Sequence, residues 1–487
     1  MATNWALLLL SVTVLGYFLR FRSTRSRRPP LVPYTIPWLG SALDLNKDPD
    51  KFFREASARY GSVFRVKALG QEITYVTAPS LIQGIYRDNK HYEFMPLRLE
   101  IMEKVFATAH EVTHAPAMID TYFPAQHRAL APSNVPELLS AYAERAFELF
   151  SKAIDGADGT SMSLIQFIIP PTYCAAAAAL LGKDFPAMET YAPFRKFDDA
   201  FPLMLAGLPR FMLPGPHKAW WEVIRLIEQY LETAKQKEDA ELPAFVRSTL
   251  SMADGSGWST ETAATVLASY LWAAEANAIW AGYWLIVFML QEPGGLAPLV
   301  EELDRARAAW LAAHPGTPLT PDAFHTFIAD SAGALPLLGS AIQETLRVTS
   351  DVMALRRVIE PVEMEGYELG VGERVVSVTR LVHLDEEIHP GAEAFRPTRY
   401  LENQKFTKNG KAVPNHSMPF GGGVSMCEGR HFVMGELKIL IALLLTYATI
   451  GIDPKKPEIP KMSRNRIGAG IMPPIGDLNV IIKRRQI

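Results

Sequence analysis

Residues 260–291 (TETAATVLASYLWAAEANAIWAGYWLIVFMLQ) constrain the fold more than any other stretch of this chain. Ser259 or Thr260 can cap a helix there, Glu261 suits its first turn, and Pro293 follows its end. About 30 residues at ~1.5 Å rise make a rod roughly 45 Å long. The rod is apolar nearly all round, so other elements must bury it on every side. Helical periodicity recurs over 137–155, 172–182, 219–235 and 428–448. Short strand-like runs stand at 63–67, 72–77 and 374–379. Together they predict a mainly α fold with small β-sheets, of the α+β class. No repeat or flexible linker interrupts residues 41–487, which are expected to form one domain.

Within the rod, Glu275 and Asn277 are the only strongly polar side chains between Tyr270 and Gln291. Burying a carboxylate or an amide is costly unless it finds partners, so two of them at mid-helix suggest a site. Each residue turns a helix by about 100°, which places the pair about 200° apart. Only one can face a given pocket. Asn277 is the candidate for the pocket, and Glu275 is expected to make an ion pair behind the helix. Ala273 and Trp280 flank Asn277 at helical spacings as possible pocket residues, with Tyr270 and Trp284 beside them. Trp280, one turn on, would narrow the cavity.

Net charge is −3, from 49 Lys and Arg against 52 Asp and Glu, so no bulk basicity points to nucleic acid. Residues 1–20 form an apolar run uncharged through Leu19, and five arginines fall within residues 20–28. The run just reaches the ~20 residues of a spanning helix. Its positive charges follow rather than precede it, unlike a cleaved signal. The expectation is a single-pass N-terminal membrane anchor with the body on the cytoplasmic side. Residues 21–40, basic and then proline-rich (PPLVPYTIPWLG), read as a stiff hinge.

The chain has two cysteines, Cys174 and Cys427. That excludes a disulfide scaffold and any four-cysteine metal site, and leaves sulfur chemistry to one thiol. Cys427 lies in PFGGGVSMCEGR. Three glycines allow a tight turn and a close, side-chain-free approach for a flat cofactor. A helical pattern begins just after the cysteine, so its thiol pKa is expected to be lowered. On these residues alone the thiolate can be a nucleophile, a redox sensor or an axial haem ligand.

Phe420, Gly423, Cys427 and Gly429 fill Phe-x-x-Gly-x-x-x-Cys-x-Gly, a pattern that resembles the cytochrome P450 signature. Glu344 and Arg347 fill the family's Glu-x-x-Arg, and Phe395 to Tyr400 is similar to its Phe-x-Pro-x-Arg-aromatic segment. The resemblance implies a P450 fold with a long central helix and a haem-thiolate loop. It implies Cys427 as axial ligand of haem b iron, Phe420, Gly423 and Gly429 around it, and Arg356 (or Arg357) at a propionate. It makes Glu344, Arg347 and Arg399 a structural charge cluster. The usual basic residue two before the cysteine is Ser425 here, and the early Trp-x-x-x-Arg motif is missing, with His127 and Arg128 as weak substitutes.

In the central helix the family's acid–threonine pair is Ala276–Asn277, similar to the subgroup of sterol 7α- and 12α-hydroxylases and prostacyclin synthases. Asn277 is then the catalytic candidate. The resemblance implies a monooxygenase of the endoplasmic reticulum membrane. Its substrate would be lipophilic (sterol, steroid or terpenoid), with electrons from NADPH through NADPH–cytochrome P450 reductase. The alternative is a haem-thiolate isomerase or dehydratase acting on a peroxide without a reductase.

Overall fold

The structure, a computed structural model, describes residues 27–486 apart from 158 and 402–403. The expected anchor over residues 1–20 lies outside the described residues. The helices needed below are α1 (Pro79–Arg87), α2 (Met95–Lys104), α3 (His110–Thr113), α4 (Val135–Ala157), α5 (Leu164–Leu181), α6 (Ala187–Asp198), α7 (Pro214–Ala234), α8 (Thr260–Gln291), α9 (Pro336–Thr349) and α10 (Arg430–Tyr447). The strands are β1 (Val63–Ala68), β2 (Gln71–Val76), β3 (Ser350–Val358), β4 (Arg374–Val378) and β5 (Ala469–Ile471).

The central rod is α8, with Ser259 Oγ accepting from the Thr262 amide at its start. It packs against α5, α7, α9, α10 and β5. Helices α5 and α8 are long and apolar enough to cross a membrane, yet 78% and 72% of their apolar windows are buried inside the fold. They are core helices. A Cβ on Gly282 would stand 2.6 Å from Leu440 Cδ2, so glycine is what lets α8 and α10 pack this closely. That contact sets the helix following the sulfur loop against the middle of the rod.

Five strands run in the order β1–β2–β4–β3–β5, and Tyr92–Glu93 also pairs with β3. β1 and β2 form an antiparallel hairpin with Val63 opposite Val76. β2 and β4 are parallel, Thr74 opposite Val375. β5 closes the sheet against β3, Gly470 opposite Asp351, and so brings its backbone to α8. The proline-rich stretch is docked rather than free: the Val32 amide donates to Arg65 O at 2.9 Å, and Arg28 pairs with Glu373 at 2.7 Å.

Candidate active site

A cavity of about 1640 Å³ lies between the sulfur loop and the middle of α8. Cys427, Phe420, Ser425 and Gly429 line one side, and Ala273, Asn277 and Ala281 line the other. The loop is held by its own backbone, with the Cys427 amide donating to Phe420 O at 3.0 Å and the Met426 amide to Gly423 O at 3.1 Å. Gly423 has φ +68°, and a Cβ there would meet Tyr86 O at 2.1 Å. At Gly422 the same atom would enter the Tyr86 ring at 2.3 Å. The glycines therefore let the loop lie flat on the end of α1. Cys427 is reachable from the cavity although protein surrounds it. Its thiol pKa is raised, not lowered as expected from the sequence: burial outweighs the amides of Gly429 and Arg430. A thiol held neutral in this way gives up its proton on meeting a metal cation.

The loop's platform is a buried ion cluster. Arg347 donates to both Glu344 oxygens, each at 2.8 Å, and Arg399 Nε donates to Glu344 Oε1 at 2.9 Å. All three side chains are fully buried. The two arginines place Glu344 below the usual carboxylate range in spite of burial. The remaining guanidinium donors reach the carbonyls of His383, Pro390 and Ala392. His383 Nε2 then accepts from the Met418 amide at 2.8 Å, two residues before Phe420. A charge cluster this deep is tolerable because its donors are used, and removing one member strands the others.

Of the two adjacent arginines, Arg356 faces the cavity and Arg357 turns away to pair with Glu100 at 3.0 Å. Arg356 is 6% exposed, and it donates to the carbonyls of Leu355 and Gly422. It pairs with no carboxylate among the described residues, and burial lowers its pKa. A buried guanidinium without a counter-ion is suited to receive a carboxylate from a ligand. His127 and Arg128 line the same cavity. So does Arg98, which sequence reasoning missed; it stacks 3.8 Å over Phe123 and approaches Glu428 at 3.5 Å.

Asn277 lines the cavity, and its Oδ1 accepts from the Ile471 amide of β5 at 2.9 Å. The approach requires Gly470, where φ is +116° and a Cβ would fall 2.0 Å from Asn277 Oδ1. The amide nitrogen of Asn277 donates to no protein acceptor among the described residues, so the group left to act is a donor. Ala273 also lines the cavity, but Trp280 does not. Trp280 lies about 60° round the helix from Asn277, and its ring is set against α6. There Arg195 stacks 4.7 Å over it, and Tyr283 meets it edge-on. Trp284 is likewise off the cavity and donates to Met472 O.

Behind this face runs a second tie that no local pattern announced. Asp198, at the end of α6, is fully buried and accepts from Arg195 at 2.7 Å, Arg466 at 2.8 Å and Trp272 Nε1 at 2.9 Å. Arg466 Nη2 also donates to Ala276 O at 3.3 Å.

Glu275 corrects the expectation of an ion pair. Among the described residues neither of its oxygens has a hydrogen-bond partner, and the ionisable neighbour it meets is Glu436 of α10, itself buried with Oε1 unpartnered. The helix has turned Glu275 away from the cavity as expected, but into an apolar layer without a cation. Burial pushes Glu275 well above the usual carboxylate range and Glu436 up to about 8. Burial favours the protonated form of both.

The cavity therefore joins one thiol on a glycine-rich loop, an unpaired buried guanidinium and a donor on the opposite wall. That set fits a flat, dianionic metal cofactor such as haem b. A family model for cytochrome P450 matches residues 186–480. The chain belongs to the cytochrome P450 family. As a P450 it is an oxidoreductase of the monooxygenase type, and the family implies haem iron. Its relatives include cholesterol 7-alpha-monooxygenase of Cricetulus griseus, 26% identical over 96% of this chain and 95% of that protein. Cytochrome P450 7B1 of Mus musculus is 29% identical over 94% and 91%. Prostacyclin synthase of Rattus norvegicus is 27% identical over 95% of both. These are members of the subgroup that Asn277 suggests. The solved structure of retinoic-acid-bound cyanobacterial CYP120A1 shares the fold, with TM-score 0.71 and 19% identity over 94% of this chain and 99% of that one.

Proposed function

We propose that this P450 hydroxylates a lipophilic substrate of the sterol, steroid or terpenoid class, using dioxygen and NADPH-derived electrons from a separate NADPH–cytochrome P450 reductase. The observation that carries the reading is the large cavity joining the Cys427 sulfur to the Asn277 face of α8, with bulky apolar walls such as Phe106, Met204 and Tyr270. A cavity with this lining, part of which haem would fill, suits a lipophilic guest.

Haem held by a thiolate supplies the oxygen activation, the sulfur pushing electron density that favours O–O cleavage. Cys427 would hold the iron and Phe420 would shield the sulfur. Gly423 and Gly429 would keep the loop clear of side chains, and Arg356 would receive a propionate. Asn277 would hold water or a polar atom by donating from its amide nitrogen, because its oxygen is engaged by Ile471. The roof between α6 and α7 supports a membrane setting. Phe201 and Met204 face inward, while Phe211 and Met212 are 81% and 57% exposed. Trp38 and Ile36 of the hinge are exposed too. Together with the apolar run at residues 1–20, they suit an enzyme held at the endoplasmic reticulum membrane and drawing substrate from the lipid.

The test is co-expression with the reductase and a screen of sterols, steroids and terpenoids for a spin-state shift and a hydroxylated product. Asn277→Ala should waste NADPH relative to product. The engaged Asn277 oxygen gives some weight to a second reading, isomerisation or dehydration of a peroxide. Turnover of an endoperoxide without NADPH or reductase would establish it and overturn the first.

A further inference from the structure

The geometry points to a binding site for a zinc-type divalent transition metal at the cavity mouth, formed by Glu103, His110 and His114. Glu103 is near the end of α2 and lines the cavity. The chain then turns through Ala107, which has φ +63°, into the short helix α3. His110 opens α3 and His114 caps it, four residues apart and so on one side of the turn. One ligand atom from each of the three residues lies within 4.8 Å of the others. Glu103 Oε1 is 3.0 Å from His110 Nδ1 and 3.2 Å from His114 Nδ1. Tetrahedral zinc with bonds of about 2.1 Å spaces its ligands about 3.4 Å apart, close to the two distances from Glu103 to the imidazoles. Two imidazoles and one carboxylate suit zinc and its neighbours, not magnesium or calcium.

The site has an orienting partner. Thr113, fully buried, donates to Glu103 Oε1 at 2.7 Å and turns the carboxylate toward the imidazoles. Metal sites depend on such second contacts to aim their ligands. The His110 and His114 side chains are 72% and 48% exposed, which leaves a path for the ion and room for water as the fourth ligand. On the cavity side, Arg210 donates to the carbonyls of Glu103 and Lys104, joining the roof to this turn. A metal here closes the turn from α2 to α3 into a ring and stiffens one lip of the mouth. This role is independent of which molecule the enzyme hydroxylates.

The experiment uses haem-loaded, tag-free protein and equilibrium dialysis against micromolar zinc, with metal content read by atomic emission. One zinc per chain is expected in the wild type and in the Glu111→Gln control. His110→Gln and His114→Gln should each lose it, and Thr113→Ala should bind about 10–100-fold more weakly. Zinc should slow the binding of a bulky azole to the haem severalfold in the wild type and leave His114→Gln unchanged. Wild type with intact haem that retains no zinc overturns the site, as does equal retention by the two histidine variants. An azole rate indifferent to bound zinc overturns the stiffened lip.

Discussion

Glu436 offers the sharpest quantitative test, through Glu436→Gln. This carboxyl lies in the layer between α8 and α10, meets Glu275, and among the described residues has no cation to hold its charge. Its pKa rises from 4.5 to about 8 because burial penalises the charged form. A carboxyl pKa raised by folding contributes fully to stability below its unfolded value and loses that contribution as pH climbs to the folded value. The window is therefore pH 4.5 to about 8. At ~1.36 kcal/mol per pH unit, keeping the proton at pH 7 costs about 3 kcal/mol, and the whole window spans roughly 5 kcal/mol. Glutamine has nearly the same shape and no proton to lose.

Urea unfolding of the haem-loaded proteins between pH 5 and pH 9 is the assay, with refolding checked at each pH. The variant should match the wild type near pH 5, exceed it by about 3 kcal/mol at pH 7, and lack this part of the wild-type slope. An equal slope in both proteins, or a variant weaker than wild type at pH 8, would mean that the carboxylate is charged and satisfied.

Other outcomes follow from the same structure. Cys427→Ser should hold haem weakly and lose the thiolate signature of the ferrous–carbonyl spectrum, read by absorbance. Gly470→Ala drives a Cβ into Asn277 and strains a φ of +116°. It should lower the fraction of NADPH electrons reaching product, with haem content retained. Burial holds His383 well below its usual pKa, and His389 and His416 at about 4. They contribute stability above pH 6.5 that is lost as pH falls toward 4, by about 3 kcal/mol at most for His389. Haem release followed at the Soret band should accelerate across that window.

What the sequence made legible was local. The ends of α8, the strand runs of β1, β2 and β4, and the glycines before Cys427 rest on caps, alternation and spacing within a few residues. The motif resemblance added partners that spacing alone could not join, such as Glu344 with Arg399. The contacts that went unseen span long stretches of chain with no pattern of their own. Asn277 meets Ile471, Asp198 meets Arg466, and Glu275 meets Glu436 because α6, α8, α10 and β5 converge. Trp280 was misplaced because its ring is taken up by Arg195 of α6 and by Tyr283, contacts that helical spacing does not show. Arg98 stands in no motif, and only the folded turn brings it to the cavity wall.

The buried tie of Asp198 to Arg466 bears on how a large guest gets in. Swinging α6 outward as a body would pull Asp198 from Arg466 and leave that buried guanidinium without its carboxylate, while Asp198 kept Arg195 of its own helix. Breaking such a pair costs about 3–5 kcal/mol, enough to make the open form rare. The hinge of any roof movement therefore has to lie after residue 198. Residues 199–213, with inward Phe201 and Met204 and outward Phe211, can flex as a flap while α6 remains part of the frame. Guest size would then be governed by the flap, and the alignment of Asn277 would be insulated from its motion.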